Sequence, residues 1–399
     1  MRSCQVCSSN KLFDVLDLGM QPPSDAFLTK EQVENEILYP LNVIFCEDCK
    51  LVQLEKIIDS KKLFTDNFVY SSSTNKQFID NLEFFCKIEN EIDKNELILD
   101  IGSNDGSFLK FLMNRGYKNV IGIDPSNTSS NINDEQIRTI IDFFNEKTAE
   151  QIKEKFGKCK VITGFNVLAH TDNIMSFLSG ISKILSDNGI FITESHYLFD
   201  LINKVQYDEI YHEHARYYSL TSLMNLFNIF NLEIFSAKRT NNQGGSILVF
   251  AGKKENKKKD RSVLKLLALE EQYGLHTKKV LSNFSKNVEL SRTQTIQTLE
   301  KYEDFRIVGI GAPAKSTTFL NYCNIDSSIL DYLTEINKYK IGKFTPGTHI
   351  KINDEIQIFE EQPECAVILS WNLEKYITKN LKDRGYKGII LKLIGHNNE

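Results

Sequence analysis

Short runs of apolar residues alternate with longer amphipathic stretches through the middle of the chain. The first run, Leu97–Ile101, leads into a glycine-rich turn. Similar runs follow at 120–124, 139–142, 160–163 and 189–193, with helix-like stretches between them. Strands that alternate with helices predict a parallel sheet with helices on both faces. Apolar residues at helical spacing over 75–95 predict a further helix ahead of the first run.

A second α/β unit is predicted near the C-terminus. The charged run 253–260 is typical of a solvated linker, with a basic patch for phosphate as the less favoured alternative. Residues 262–301 show the pattern of one or two long helices, and the run 304–310 then opens a new strand. We therefore divide the chain into an N-terminal unit at 1–60, an α/β domain at 61–255, a helical linker at 256–303 and a second α/β domain at 304–399.

Composition excludes several classes of protein. The 399 residues are 41% hydrophobic and 25% charged, enough for a globular core, and the net charge of −5 argues against non-specific nucleic-acid binding. No run of eighteen apolar residues and no apolar signal core is present. We expect a cytoplasmic protein without membrane or nucleic-acid partners, either a monomer or a weak dimer.

Four cysteines in the N-terminal unit form two CxxC pairs. They are Cys4 with Cys7 and Cys46 with Cys49. Two such pairs predict a tetrahedral thiolate site for zinc, and four thiolates leave no open position for catalysis. A disulfide framework is the alternative, which the absence of a secretory context disfavours. The unit at 1–60 is therefore interpreted as a zinc-binding domain with a structural metal.

The turn after the first apolar run carries a ligand-binding pattern, D-x-G-x-x-x-G. Asp100, Gly102, Asn104 and Gly106 lie in it, and a helix pattern follows. The pattern resembles motif I of the class I methyltransferases that use S-adenosylmethionine. This resemblance implies that Asp124 binds the ribose, that Asp142 and Phe143 lie near the adenine, and that Asn166 also lines the cofactor site. A flavodoxin-like or dinucleotide-binding fold is the alternative.

Acid, base and phenol groups are concentrated at 207–218. Histidine is the usual general base near neutral pH, a neighbouring carboxylate can raise its pKa or orient it, and tyrosine hydroxyls can bond a developing oxyanion. His170 follows the fourth strand and faces the ligand crevice of such a sheet. Tyr70, ahead of the first predicted helix, is expected to cover the site. A surface loop rich in hydrogen bonds is the alternative interpretation of the cluster.

These motifs together resemble one family, the sugar C-methyltransferases of deoxysugar biosynthesis that act on nucleotide-linked 4-keto-6-deoxyhexoses. The resemblance runs in order along the whole chain. It comprises both CxxC pairs, Pro22-Pro23, Tyr70-Ser-Ser72, Asp100 to Gly106, Asn166 to His170, Tyr211-His-Glu-His214, Gly244-Gly-Ser246, Gly309 to Lys315 and Thr345 to His349.

The resemblance implies a role for each matching residue. His214 corresponds to the general base and Glu213 to its neighbouring acid, while Tyr211, Tyr70 and His170 line the reacting carbon. The C-terminal domain would hold the nucleotide of the substrate through residues that include Gly311, Ala312, Lys315 and His349. The chain departs from the family pattern at His196, His212 and Gln243.

The sequence leaves two alternative functions open. The same base would serve O-methylation of a sugar hydroxyl in a surface glycan. A non-catalytic interaction module built on a degenerate methyltransferase fold is a third hypothesis. In the C-terminal domain, the glycine turn and Lys315 predict diphosphate binding, whereas a domain that only dimerises or covers the site is the alternative.

Overall fold

Three β-sheets make up the protein in a computed structural model that describes residues 2–59, 88–126, 137–254 and 258–393, together with Leu63, Phe85 and Ser129. Tyr70 and most of the helix predicted over 75–95 lie outside these residues. Glu89–Glu91 at the end of that stretch forms a 3₁₀ turn.

The N-terminal unit is an antiparallel sheet. Strand β1 (Leu12–Gln21) pairs with β2 (Tyr39–Cys46), which pairs in turn with β3 (Val52–Leu54). Strand β2 ends at Cys46, so the sheet places Cys46 and Cys49 next to Cys4 and Cys7.

The central sheet contains the parallel strands that the sequence predicts. They are β4 (Ile98–Ile101), β5 (Val120–Ile123), β6 (Thr139–Ile140), β7 (Cys159–Phe165) and β8 (Leu185–His196). Helices α1 (Ser107–Asn114), α2 (Glu146–Phe156) and α3 (Ile174–Ile184) lie between them in the chain. The strands are almost entirely buried, as expected for a parallel sheet covered on both faces.

After the short helix α4 (Leu198–Asn203) the chain leaves the central sheet. Strand β9 (Arg216–Tyr217) joins the N-terminal sheet beside β3, with Val52 opposite Tyr217. The chain then returns through α5 (Leu220–Ile229) to the antiparallel strands β10 (Leu232–Thr240) and β11 (Ser246–Lys253). The final order of the central sheet is β10-β11-β8-β7-β4-β5-β6.

The C-terminal part begins with two helices, α6 (Arg261–Tyr273) and α7 (Lys278–Glu300). A fully parallel sheet of order β14-β13-β12-β15-β16 follows. Its strands are β12 (Ile307–Ile310), β13 (Leu333–Glu335), β14 (Ile352–Asp354), β15 (Cys365–Ile368) and β16 (Ile389–Leu391), and its helices are α8 (Ala314–Cys323), α9 (Ile356–Glu361) and α10 (Glu374–Asp383). The predicted α/β architecture is thus confirmed.

The first and last parts of the chain are in direct contact. Leu28 forms an antiparallel bridge to Phe344, and the Glu36 carboxylate accepts a 2.8 Å hydrogen bond from the Gly347 amide. The Thr317 hydroxyl of α8 donates to the Ser24 carbonyl at 2.9 Å. Among the described residues, no helix is long and apolar enough to cross a membrane.

Candidate active site and metal centre

The four cysteines of the two CxxC pairs converge as predicted. The sulfur atoms of Cys4 and Cys49 are 3.5 Å apart, as are those of Cys7 and Cys46, and all four lie within 4.8 Å of one another. Zn–S bonds of about 2.3 Å place tetrahedral sulfurs about 3.8 Å apart, so the cluster fits a zinc ion. The two turns match each other, because Ser8 and Lys50 each follow a CxxC pair with a positive φ (57° and 64°).

The turn after β4 has the backbone expected of a nucleotide-binding loop. Gly102, Asn104 and Gly106 all have left-handed φ values, of 74°, 48° and 72°. A Cβ at Gly102 would lie 2.7 Å from the Val167 side chain. A larger residue at position 102 would therefore collide with the loop that carries Val167, and the positive φ would also strain it.

Two buried carboxylates flank this turn at the carboxyl ends of the strands. Asp124 accepts hydrogen bonds from the amides of Asn104 (3.0 Å) and Ser126 (2.8 Å), which ties the end of β5 to the turn. Asp100 accepts a 2.6 Å bond from the Thr163 hydroxyl, and burial raises the pKa of its carboxyl to about 7. A buried carboxylate beside the backbone amides of a turn at the carboxyl edge of the sheet suits a polar nucleoside such as that of S-adenosylmethionine.

The remaining predicted cofactor residues lie near the same edge of the sheet. Asn166 follows β7 with a φ of 56°, and its amide donates to the Glu194 carbonyl at 2.8 Å. Asp142 and Phe143 follow β6 and are exposed to solvent, with the Phe143 amide bonded to the Asp142 carboxylate at 2.7 Å.

His214 is buried, and both of its ring nitrogens have hydrogen-bond partners. Nε2 lies 2.8 Å from the Tyr211 hydroxyl, and Nδ1 lies 3.1 Å from the Glu209 carbonyl oxygen. The carbonyl can only accept, so Nδ1 carries the proton and Nε2 presents its lone pair. Burial, together with His170 and His196, lowers the pKa of His214 well below its ordinary value. The imidazole is therefore neutral at neutral pH, as a base must be.

Glu213 contributes in a different way from the one we expected. Its carboxylate accepts hydrogen bonds from the amides of Ser24 (2.9 Å) and Asp25 (3.4 Å) in the N-terminal domain. Burial and the neighbouring Asp25 raise its pKa to about 7. The expectation that an adjacent carboxylate raises the pKa of the histidine is wrong here, because His214 is oriented by a carbonyl and a phenol instead.

Three imidazole rings meet at the carboxyl end of β8. The ring of His214 lies 4.7 Å from that of His170 and 4.9 Å from that of His196. Burial lowers the pKa of His170 to about 4. His212, by contrast, turns toward the N-terminal domain and contacts the Tyr39 ring edge-on at 5.9 Å.

A buried charge pair beside these rings was not anticipated. Glu209 bonds to the Lys315 ammonium at 3.0 Å, and its other carboxylate oxygen lies 3.6 Å from His196 Nε2. Burial alone would raise the pKa of Glu209, but Lys315 and His196 outweigh it and lower the pKa. Glu209 lies within the polar cluster that the sequence pointed to, whereas no local signal identifies its partner, 106 positions away.

The predicted nucleotide-binding residues of the C-terminal domain have partners within the protein. Lys315 is bonded to Glu209 and, at 2.9 Å, to Asn372. The amide of Ala312 donates to Glu335, and His349 Nε2 lies 2.8 Å from the Glu36 carboxylate. Gly311, with a φ of 81°, passes close to Ser370. Their role toward a nucleotide stays a prediction.

The fold and its site define a class of enzyme. A seven-stranded sheet of this order, with a glycine turn after β4 and an acid after β5, belongs to the class I S-adenosylmethionine-dependent methyltransferases. A methyltransferase domain model matches residues 70–237, a zinc binding domain model matches 4–64, and a C-methyltransferase C-terminal domain model matches 241–392.

The chain is therefore an S-adenosylmethionine-dependent methyltransferase, and its three domains are similar to those of the C-methyltransferases. C-methyltransferase NovU of Streptomyces niveus is 29% identical over 387 residues, which cover 95% of this chain and 92% of that protein. Among solved structures, an S-adenosylmethionine-dependent methyltransferase of Anabaena variabilis is 14% identical with a TM-score of 0.37, covering 46% of this chain and 86% of its own. The magnesium protoporphyrin IX methyltransferase of Synechocystis is also 14% identical, with a TM-score of 0.34 and coverages of 44% and 82%. These structural likenesses are too remote to refine the assignment.

We expect about one zinc per chain, and we expect Cys46→Ser to lose it and to unfold the N-terminal domain, since structural zinc contributes folding free energy. Metal analysis and thermal unfolding measure both effects. Cys365→Ser is the control, because this buried thiol lies in the C-terminal sheet away from the cluster. A soluble, active Cys46→Ser protein would contradict the structural role.

Asp124→Ala is expected to weaken S-adenosylmethionine binding by roughly 1.5–3 kcal/mol, the contribution of a hydrogen bond to a charged group. Calorimetry of the full chain gives this value directly. Replacement of the exposed Asp187 by Ala should leave the affinity unchanged. Equal affinities for wild type and Asp124→Ala would show that this carboxylate does not contact the cofactor.

Proposed function

We propose that the enzyme methylates the carbon next to the ketone of a nucleotide-linked 4-keto-6-deoxyhexose. The observation that carries this proposal is the state of His214, a neutral imidazole oriented at both nitrogens beside the carboxyl edge of the central sheet. A carbon acid next to a ketone needs such a base, together with a hydrogen-bond donor for the oxygen that becomes negative.

The residues at the site supply both functions. His214 Nε2 accepts the proton from the substrate carbon, and the Glu209 carbonyl holds Nδ1–H so that the imidazolium forms without turning. Burial raises the pKa of Tyr211 well above its ordinary value, so its hydroxyl keeps its proton. When the substrate binds, this hydroxyl turns from His214 Nε2 to the ketone oxygen, which frees the Nε2 lone pair and provides the donor to the enolate oxygen. S-adenosylmethionine, when bound, supplies the methyl group that the enolate carbon takes.

The C-terminal domain supports a nucleotide-bearing substrate in this proposal. Its parallel sheet has the strand order 3-2-1-4-5 of a doubly wound nucleotide-binding fold, and the turn at Gly311 lies at the carboxyl end of β12, ahead of α8. Helix α8 also contacts the catalytic segment, because the Thr318 hydroxyl donates to the Ile210 carbonyl at 2.8 Å. A nucleotide at this turn would thus place its sugar toward His214.

His214→Asn should reduce turnover by about 10² to 10⁴, the usual contribution of a general base, while S-adenosylmethionine still binds. The measurement uses a nucleotide-linked 4-keto-6-deoxyhexose with deuterium at carbons 3 and 5, the two carbons next to the ketone. Wild-type enzyme should release this deuterium to solvent, and the variant should not. The control is His276→Asn, a histidine bonded to Ser219 away from the site. Methylation with full retention of deuterium would assign the reaction to oxygen.

Gly311→Ala should abolish nucleotide-sugar binding and leave S-adenosylmethionine binding intact, since the new Cβ would lie 2.7 Å from the Ser370 hydroxyl in the turn. Gly342→Ala is a matched control, because Gly342 has a similar φ of 86° but open space around it. Both variants carry the same type of backbone strain, so a difference in nucleotide-sugar binding between them is due to the turn at Gly311. The melting temperature of each variant is measured during titration with a panel of nucleotide sugars. Equal binding by Gly311→Ala and Gly342→Ala would refute the assignment.

A further inference from the structure

His214 is poorly placed to release the proton that it accepts. The ring is 5% exposed and is enclosed by Tyr211, His170 and His196. A base that acts in every turnover must return to its neutral form each time. Burial favours loss of this proton but separates the ring from bulk water, so a route that carries the proton away is needed before the next substrate reacts.

His196 occupies the position such a route requires. It is the last residue of β8, its side chain is 14% exposed, and its ring meets that of His214 edge-on at 4.9 Å. Ring nitrogens of both histidines and a Glu209 carboxylate oxygen lie within 4.8 Å of one another. A single water molecule spans a gap of this size between two polar atoms.

Glu209 and Lys315 are the charged groups next to His196. The Glu209 carboxylate is 3.6 Å from His196 Nε2 and stabilises positive charge on either histidine. Lys315, 3.0 Å from the other oxygen, keeps the carboxylate ionised although it is buried. The same ammonium opposes a dication at this cluster, which distinguishes it from a two-histidine, one-carboxylate metal site.

We propose that His196 is a proton-relay residue that acts through His214, with Glu209 as the counter-ion of the transferred charge. The inference rests on the proposed function, because it concerns the proton taken from the substrate carbon. That proton binds His214 Nε2 as the C–H bond breaks. The same proton then passes from Nε2 to His196 and from there to water, while Nδ1–H stays on the Glu209 carbonyl, so both rings end neutral and Nε2 has its lone pair again.

Loss of a relay has a distinctive signature. Without it, the deuterium abstracted by His214 stays on the ring and returns to the same carbon. In His196→Gln we therefore expect the release of deuterium to solvent in the absence of S-adenosylmethionine to fall roughly tenfold or more. The rate of methyl transfer in a single turnover should stay within about threefold of wild type, while steady-state kcat falls and KM does not.

The experiment compares His196→Gln with wild type and with His276→Gln, using the sugar deuterated at carbons 3 and 5 and the full-length protein. Glu209→Gln provides a second variant, because it removes the counter-ion but keeps the backbone carbonyl that holds His214. It should lose deuterium release in the same way. Wild-type enzyme that releases no deuterium would refute the proposed function itself.

Several results would overturn the relay alone. Deuterium release by His196→Gln at the wild-type rate would exclude it, as would an equal loss of single-turnover methylation, which assigns His196 to the chemical step. A zinc content above one per chain that drops in His196→Gln would identify the cluster as a metal site. Loss confined to KM would assign His196 to substrate binding.

Discussion

The pairing of β3 with β9 is the constraint on which the catalytic segment depends. Only two residues, Arg216 and Tyr217, form β9, yet they attach the segment that carries His214 to the edge of the zinc-binding sheet. The Leu54 amide extends the contact by donating to the Ala215 carbonyl at 2.9 Å. On the opposite side the Ala215 amide donates to the Ala169 carbonyl at 2.9 Å. The base is thus fixed between the loop after β7 and the N-terminal sheet, the same sheet that carries Cys46 at the end of β2.

A buried ion pair connects the third sheet to this arrangement. Glu209 and Lys315 come from different domains, and both side chains are nearly inaccessible to solvent. Desolvation makes such a pair a weak source of stability, since the cost of burying two charges offsets most of their attraction. Asn372 and the Trp371 ring, 4.0 Å from the Lys315 ammonium, provide the further contacts that it needs. The pair therefore contributes more to the orientation in which the C-terminal domain docks than to the free energy of docking.

The sequence predicts the elements well because their signals are local. Buried parallel strands appear as apolar runs, and CxxC pairs carry their spacing with them. Contacts between distant segments have no such signal, so the pairing of the Lys315 ammonium with Glu209 could not be predicted, while the role of Lys315 toward a diphosphate stays a prediction. Glu213 shows the same limit. Adjacency to His214 suggested a direct interaction, but the backbone directs its carboxylate to Ser24, 189 positions away.

The contact of Glu36 with Gly347 and His349 has a consequence for synthesis of the chain. The partners are separated by more than 300 positions, so the N-terminal domain leaves the ribosome long before the surface that it covers exists. Domains of long chains generally fold in order as they emerge. The Glu36 carboxylate acquires these partners only near the end of translation, and a chain that stops before residue 347 lacks the contact altogether.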